Sequence, residues 1–247
     1  NERIKRIGKM NNFCLQSSRR FLTNHNFCSK RSVKSFLQKN FVEVNGKQIF
    51  EADFLIDSEK VCVKVNGKKI KKDKFIYLMM NKPIGYVCST ESDSHKVVYE
   101  LLPKRIVKKY PGIHCVGRLD CNTSGLLIFT NNGSFSHNLT EPSNQIEKKY
   151  FVKLKDKVCN KEKMAYCEKC KNGLLLKEDK KSPSFTTRPT VIEWKTDYEC
   201  FITLTEGKFH EVRRIFETLG NCVIILKRIS FYNYDLGTLK EGKIKKL

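Results

Sequence analysis

Short apolar runs of strand length, each closed by Gly, Pro or Asn, dominate this sequence, and stacking them side by side in a sheet is the main way to bury them. Ile76–Met80, Gly125–Phe129, Lys149–Leu154, Thr190–Trp194, Cys200–Leu204 and Cys222–Lys227 read as strands. Val97–Leu102, Phe135–Thr140, Lys161–Lys171 and His210–Leu219 read as helices, with Gly173 where a helix C-terminus favours it. Strands outnumber helices and follow one another closely. The expected fold class is therefore α+β with a mixed, largely antiparallel sheet. The sequence has no internal repeat and no run of about 18 uncharged apolar residues, so no membrane association is expected.

A chain of 247 residues accommodates a small domain ahead of a larger one. Residues 1–17 form a basic arm without clean periodicity, open to reading as a flexible RNA-touching segment, a leader or an artificial extension. Residues 18–70 carry a different signature. Phe21-Leu22 begins a helix, Ser29 is placed to cap a second, and Val33, Phe36 and Leu37 recur at helical spacing. Lys30, Arg31, Lys34 and Lys39 fall on the other faces. Val42-Glu43-Val44 then runs into Asn45-Gly46, and Val61 to Val65 runs into Asn66-Gly67, two strong hairpin signals. A charge-dense stretch from Lys68 to Lys74 reads as a hinge, and residues 75–247 form the second domain.

Charge narrows the partners. Lys and Arg number 48 against 26 Asp and Glu, a formal net charge of +22 spread along the whole length. For a folded chain this basic, a nucleic acid is the favoured partner, bound through salt-dependent phosphate attraction. The 11 cysteines, in a chain showing no signal peptide, read as reduced thiols of a cytoplasmic protein. Only Cys167 and Cys170 lie close in sequence, and a structural zinc site needs a second such pair, so no metal is expected.

The most informative run is Gly117-Arg118-Leu119-Asp120-Cys121-Asn122-Thr123-Ser124-Gly125-Leu126-Leu127-Ile128-Phe129. Two glycines bracket a polar turn that leads into an apolar strand, and Asp120 sits in the turn. A carboxylate on a loop fixed by a rigid strand is well placed to act on a ligand, although an isolated Asp in a turn more often serves the turn itself. This run resembles the catalytic motif of the pseudouridine synthases, in the extended form of the ribosomal RNA branch. Met79 to Val87, Glu147 to Val152, Glu206 to Phe216 and Leu226-Lys227-Arg228-Ile229 resemble further motifs of that branch, in the family's order. The helix pair and hairpins of residues 18–70 resemble the S-four-type RNA-binding domain. Together with the Gly-Lys-Phe-His wording at Gly207 to His210, this looks most like the small-subunit (16S) rRNA synthases of the RsuA type.

The resemblance implies an isomerase that detaches a uracil from its sugar, rotates it and rejoins it through carbon, with no cofactor. It implies Asp120 as nucleophile, Arg213 as the cation paired with it, and Tyr150 as the aromatic packed on the base. Arg118 matches a residue that braces the stack vacated by the flipped nucleotide. Lys30, Arg31, Lys34, Lys82, Lys149, Lys208, His210 and Arg214 are the remaining expected RNA contacts. Arg213 and Arg214 are adjacent on a helix, so only one of them faces the pocket. The implied partner is ribosomal RNA, free or within a pre-ribosomal particle, bound by a monomer. Large-subunit or transfer RNA as substrate, and a catalytically silent RNA-binding protein, are the alternatives. Two residues depart from the family's usual wording: Glu211 where Gln is common, and Asn132 where Asp is common.

Overall fold

The computed structural model describes residues 15–25, 27–57, 61–70, 75–92, 94–110, 112–178 and 183–247. Most of the basic arm, and residues 71–74 of the expected hinge, lie outside them. The chain divides into two compact units: one runs to Phe75 and includes Asn132–Phe135, and the other holds Ile76–Asn131 and Ser136–Leu247.

The small unit begins with strand β1 (Leu15–Ser17) and helices α1 (Ser18–Asn24) and α2 (Val33–Lys39). Ser17 caps α1, its Oγ accepting from the Arg20 N–H at 3.4 Å. Ser29 does not cap α2 directly. Its backbone N–H and hydroxyl bond Ser32, which is the residue preceding the helix. Four short strands follow as two hairpins: β2 (Val42–Val44) with β3 (Lys47–Gln48), and β5 (Val63–Val65) with β6 (Lys68–Lys69), while β4 (Leu55–Asp57) pairs with β1. Both turns are Asn-Gly with positive φ at both residues, +50° and +81° at Asn45-Gly46 and +50° and +77° at Asn66-Gly67. The hairpins are joined through β2 and β5 into a sheet of order β3-β2-β5-β6. Each turn asparagine also bridges to the other hairpin: Asn45 Oδ1 accepts from Cys62 N–H at 2.8 Å, and Asn66 Oδ1 accepts from Phe41 N–H at 2.8 Å. Phe21, Leu22, Val33, Leu37, Val42, Val65 and Ile56 fill the core beneath.

The large unit is built on one sheet. In chain order its elements are β7 (Tyr77–Lys82), β8 (Tyr86–Val87), β9 (Lys96–Val97), a 3-10 turn (Val98–Leu101), α3 (Lys104–Lys109), β10 (His114–Val116), β11 (Ser124–Thr130), α4 (Gly133–Thr140), β12 (Lys148–Leu154), α5 (Asn160–Asn172), β13 (Leu175–Leu176), β14 (Phe185–Thr186), β15 (Val191–Trp194), β16 (Glu199–Leu204), α6 (Glu211–Thr218), β17 (Val223–Phe231), β18 (Tyr234–Asp235) and β19 (Ile244–Lys246). The sheet order is β15-β16-β12-β17-β11-β7-β19, with β10 added to β11 and β18 to β17. Within it every pairing is antiparallel except β11 with β17. The fold class is α+β, as the run lengths imply. Among the described residues no helix is long and apolar enough to cross a membrane.

The parallel pair is where the architecture is least tolerant. Gly125 opens β11 at φ +105°, and a Cβ there would lie 2.2 Å from the Arg228 carbonyl oxygen. Only glycine lets β11 approach β17 this closely. Gly125→Ala is expected to destabilise the large unit by roughly 2–4 kcal/mol, the combined cost of a strained φ and a backbone clash. Gly46→Ala, whose Cβ meets open space, is expected to cost only about 1 kcal/mol. Calorimetric melting of the two variants checks the order.

Candidate active site

The loop between β10 and β11 carries Arg118 and Asp120, and a buried cation anchors it. Lys82, at the end of β7, is fully buried. Its ammonium donates to three carbonyl oxygens, of Pro83 at 3.0 Å, Asp120 at 3.1 Å and Thr123 at 2.9 Å. Thr123 N–H closes the turn onto Asp120 O at 3.1 Å, and Gly85 N–H ties in Cys121 O at 2.9 Å. Burial lowers the ammonium pKa, with Cys88, Cys121 and Asp120 acting in the opposite direction. The expectation that Lys82 touches RNA is therefore corrected: its ammonium is buried and bonded to carbonyls of Pro83 and of the Asp120 loop. The main chain of Asp120 is fixed while its side chain keeps 39% of its accessibility.

The side chain facing that carboxylate is also different from the one expected. His210 Nε2 lies 3.8 Å from Asp120 Oδ1. His210 caps α6 in a left-handed conformation (φ +50°), with its ring stacked on Phe209 at 3.8 Å between centroids. Arg213 makes no ion pair with Asp120. Its Nη1 donates to Val223 O at 3.0 Å and its Nη2 to Asn122 O at 2.9 Å, so the guanidinium links the start of β17 to the Asp120 loop through carbonyls. Both arms of the fork are held by backbone acceptors.

Tyr150 lies on β12, a central strand flanked by β16 and β17. It is 8% exposed and pairs in register with Ile202 on one side and Arg228 on the other. Burial raises its pKa, opposed by the charge and hydrogen bond of Arg228. Arg228 itself is the feature sequence reasoning passed over. It is almost wholly buried, with Nε donating to Leu126 O at 2.8 Å, its guanidinium 4.7 Å from the Phe231 ring, and Nη2 buried without a protein partner. A signal existed in the Leu226-Lys227-Arg228 spacing, which puts Arg228 on the same inward face as Leu226. Nearby Lys148 donates to Ile146 O and Thr205 O, and burial pushes its pKa down to about 8.

Glu211, in the first turn of α6, is buried too. Its Oε2 accepts from Lys208 N–H at 2.9 Å while Oε1 has no partner, and desolvation raises its pKa to about 7. Arg214 departs from expectation. It is buried, with Nη2 donating to Lys177 O and Pro183 O and its guanidinium 4.9 Å from the Phe185 ring, so it braces the protein and presents nothing to RNA. The helix turns Arg213 and Arg214 to different faces, and neither is left for phosphate alone. Lys149 pairs with Glu193 at 2.7 Å, and Lys208 pairs with Glu206 at 3.1 Å while covering Phe185. Arg118 is exposed beside Asp120, and Lys30, Arg31 and Lys34 are exposed on the small unit.

Residues 76–218 match the RNA pseudouridylate synthase family. The chain belongs to that family. It is similar to the "Ribosomal small subunit pseudouridine synthase A" of Pasteurella multocida, 32% identical over 92% of this chain and 94% of that protein. The protein of that name from Escherichia coli is 33% identical over 78% of each chain. "Ribosomal large subunit pseudouridine synthase B" of Bacillus subtilis is 32% identical over 89% of this chain and 86% of its own. Among solved structures, "Crystal structure of pseudouridylate synthase" matches with a TM-score of 0.64 and 29% identity, over 94% of this chain and 95% of that one. The protein is thus a pseudouridine synthase, an isomerase.

Two outcomes follow from this geometry. Lys82→Met, which keeps the bulk and removes the donors, is expected to lower kcat roughly a hundredfold through a displaced loop, with substrate affinity little changed. Steady-state kinetics separates the two. Glu211 retains its proton to about pH 7 when folded but loses it near 4.5, the ordinary value of a glutamate, when unfolded, so its contribution to stability is lost as pH rises between those values. The stability advantage of Glu211→Gln over the wild type is therefore expected to grow from pH 4.5 to 7 and level off above. Paired melting curves across that range check the sign.

Proposed function

We propose that this enzyme converts a specific uridine of small-subunit (16S) ribosomal RNA to pseudouridine, with Asp120 as nucleophile. The observation that carries this reading is the Asp120 loop: main chain fixed by a buried ammonium, carboxyl group left accessible and facing an imidazole. A reaction that breaks a glycosidic bond and reattaches the base needs such a carboxylate, held where an incoming sugar or ring carbon can meet it. A uridine in folded RNA reaches it only by leaving the stack, at a cost of a few kcal/mol. Tyr150 packs against the flipped base from the sheet below, and Arg118, exposed on the same loop, is placed to fill the gap left behind. Arg213 serves the site by holding the Asn122 carbonyl, and through it the turn that carries Asp120. Lys30, Arg31 and Lys34 give the small unit a basic face for RNA.

The small-subunit assignment is supported by the names of the relatives matched across nearly the whole chain. The large-subunit name carried by the Bacillus subtilis relative supports the second reading, a uridine of large-subunit RNA. Tritium release from carbon-five-labelled uridine in a 16S transcript is the direct assay. Release by the wild type and background counts from Asp120→Asn are expected. Release undiminished in the variant removes Asp120 from its role. Chemical mapping of both ribosomal RNAs from a deletion strain then decides the subunit, and loss of a pseudouridine in the large subunit alone overturns the assignment.

A further inference from the structure

Directly behind Asp120 lies a pair of thiols that the isomerisation does not use. Cys88, buried after β8, holds the residue preceding Asp120 from both sides: its Sγ accepts from Leu119 N–H at 3.4 Å and donates to Leu119 O at 3.4 Å. Cys115, half-buried on β10, donates from Sγ to the Cys88 carbonyl at 3.5 Å. The Tyr99 hydroxyl donates to the Cys115 sulfur at 3.5 Å and accepts from the Cys115 N–H at 3.2 Å.

We propose that Cys88 and Cys115 are an oxidation site, closed to a disulfide by hydroperoxides, and that closing it displaces Leu119 and disarms Asp120. Of the two, Cys115 is the more acidic: the neighbouring Cys88 thiol lowers its pKa most, burial opposes this, and the Tyr99 hydroxyl and the nearby Arg118 charge add to the lowering. Cys88 is pushed upward, chiefly by the neighbouring Cys115 thiol and by burial. The Cys115 thiolate attacks a peroxide oxygen, an S–O bond forms, the O–O bond breaks, and the departing oxygen leaves as water or an alcohol after taking a proton. The Cys88 sulfur then attacks the sulfenic sulfur. The S–S bond forms, the S–O bond breaks, and hydroxide leaves as water with the Cys88 proton. Two thiols thereby give up two electrons to one hydroperoxide. A disulfide brings the sulfurs to about 2 Å, a separation that draws Cys88 Sγ away from both Leu119 contacts.

The effect on activity rests on the function proposed above, but the bond itself does not. Full-length protein is treated with hydrogen peroxide, its cysteines are mapped by differential alkylation and mass spectrometry, and pseudouridine formation is followed on a 16S transcript. The expected result is a Cys88–Cys115 linkage, activity reduced roughly tenfold and restored by dithiothreitol, and a Cys115→Ser variant that starts at wild-type activity and resists peroxide. Cys88 and Cys115 still separately alkylated after peroxide overturns the proposal. So does a linked pair with full activity, or a Cys115→Ser variant as sensitive as the wild type. Should the reduced enzyme form no product on this RNA, the substrate assignment falls, and the linkage map alone decides whether the pair closes.

Discussion

The Lys82 ammonium is the point on which the site turns. A buried cation is costly unless its donors are met, and here three main-chain carbonyls meet them without a carboxylate in contact. This arrangement does two things at once. It spares the Asp120 carboxyl group from acting as the counter-ion of a buried lysine, and it uses the positive charge to draw the Asp120 and Thr123 carbonyls inward. The side chain of Asp120 is thereby left accessible to solvent. A carboxylate free to pair with Lys82 would be an inert structural group.

The sheet supplies the rest of the support. β11 and β17 run parallel within an otherwise antiparallel array, and they approach closely where Gly125 stands opposite Arg228. Arg228 in turn lies beside Tyr150 on β12. Arg228 and Tyr150 thus meet from strands distant in sequence. Arg213 adds a further connection, from α6 to the Asn122 carbonyl on the Asp120 loop. Preorganisation of this kind depends on main-chain contacts, which is why so few of the residues that create it are themselves exposed.

Much of this was readable from residues alone. The strand runs from Ile76 to Lys227 matched elements of the sheet because their length and flanking turn residues leave few alternatives. The Asn-Gly pairs marked both hairpins for the same reason. β10, β13, β14 and β19 were not foreseen, since two or three residues carry too little periodicity to register. The charged residues were harder. Lys82 and Arg214 look like any surface base in a sequence this cationic, and nothing in their neighbours' types announces that carbonyls wait for them inside. The pairing of Asp120 with His210 in place of Arg213 likewise depends on a left-handed residue at the head of α6, a backbone detail that residue types do not encode.

The hairpins of the small unit carry a consequence of their own. Because the amide of Asn45 is bound to the strand leading into Asn66, and the amide of Asn66 to the strand leading into Asn45, the tips are reciprocally latched. Neither ribbon can fray without loosening the other. The module should therefore open as a single cooperative block, and lengthening either tip by even one residue would unfasten both.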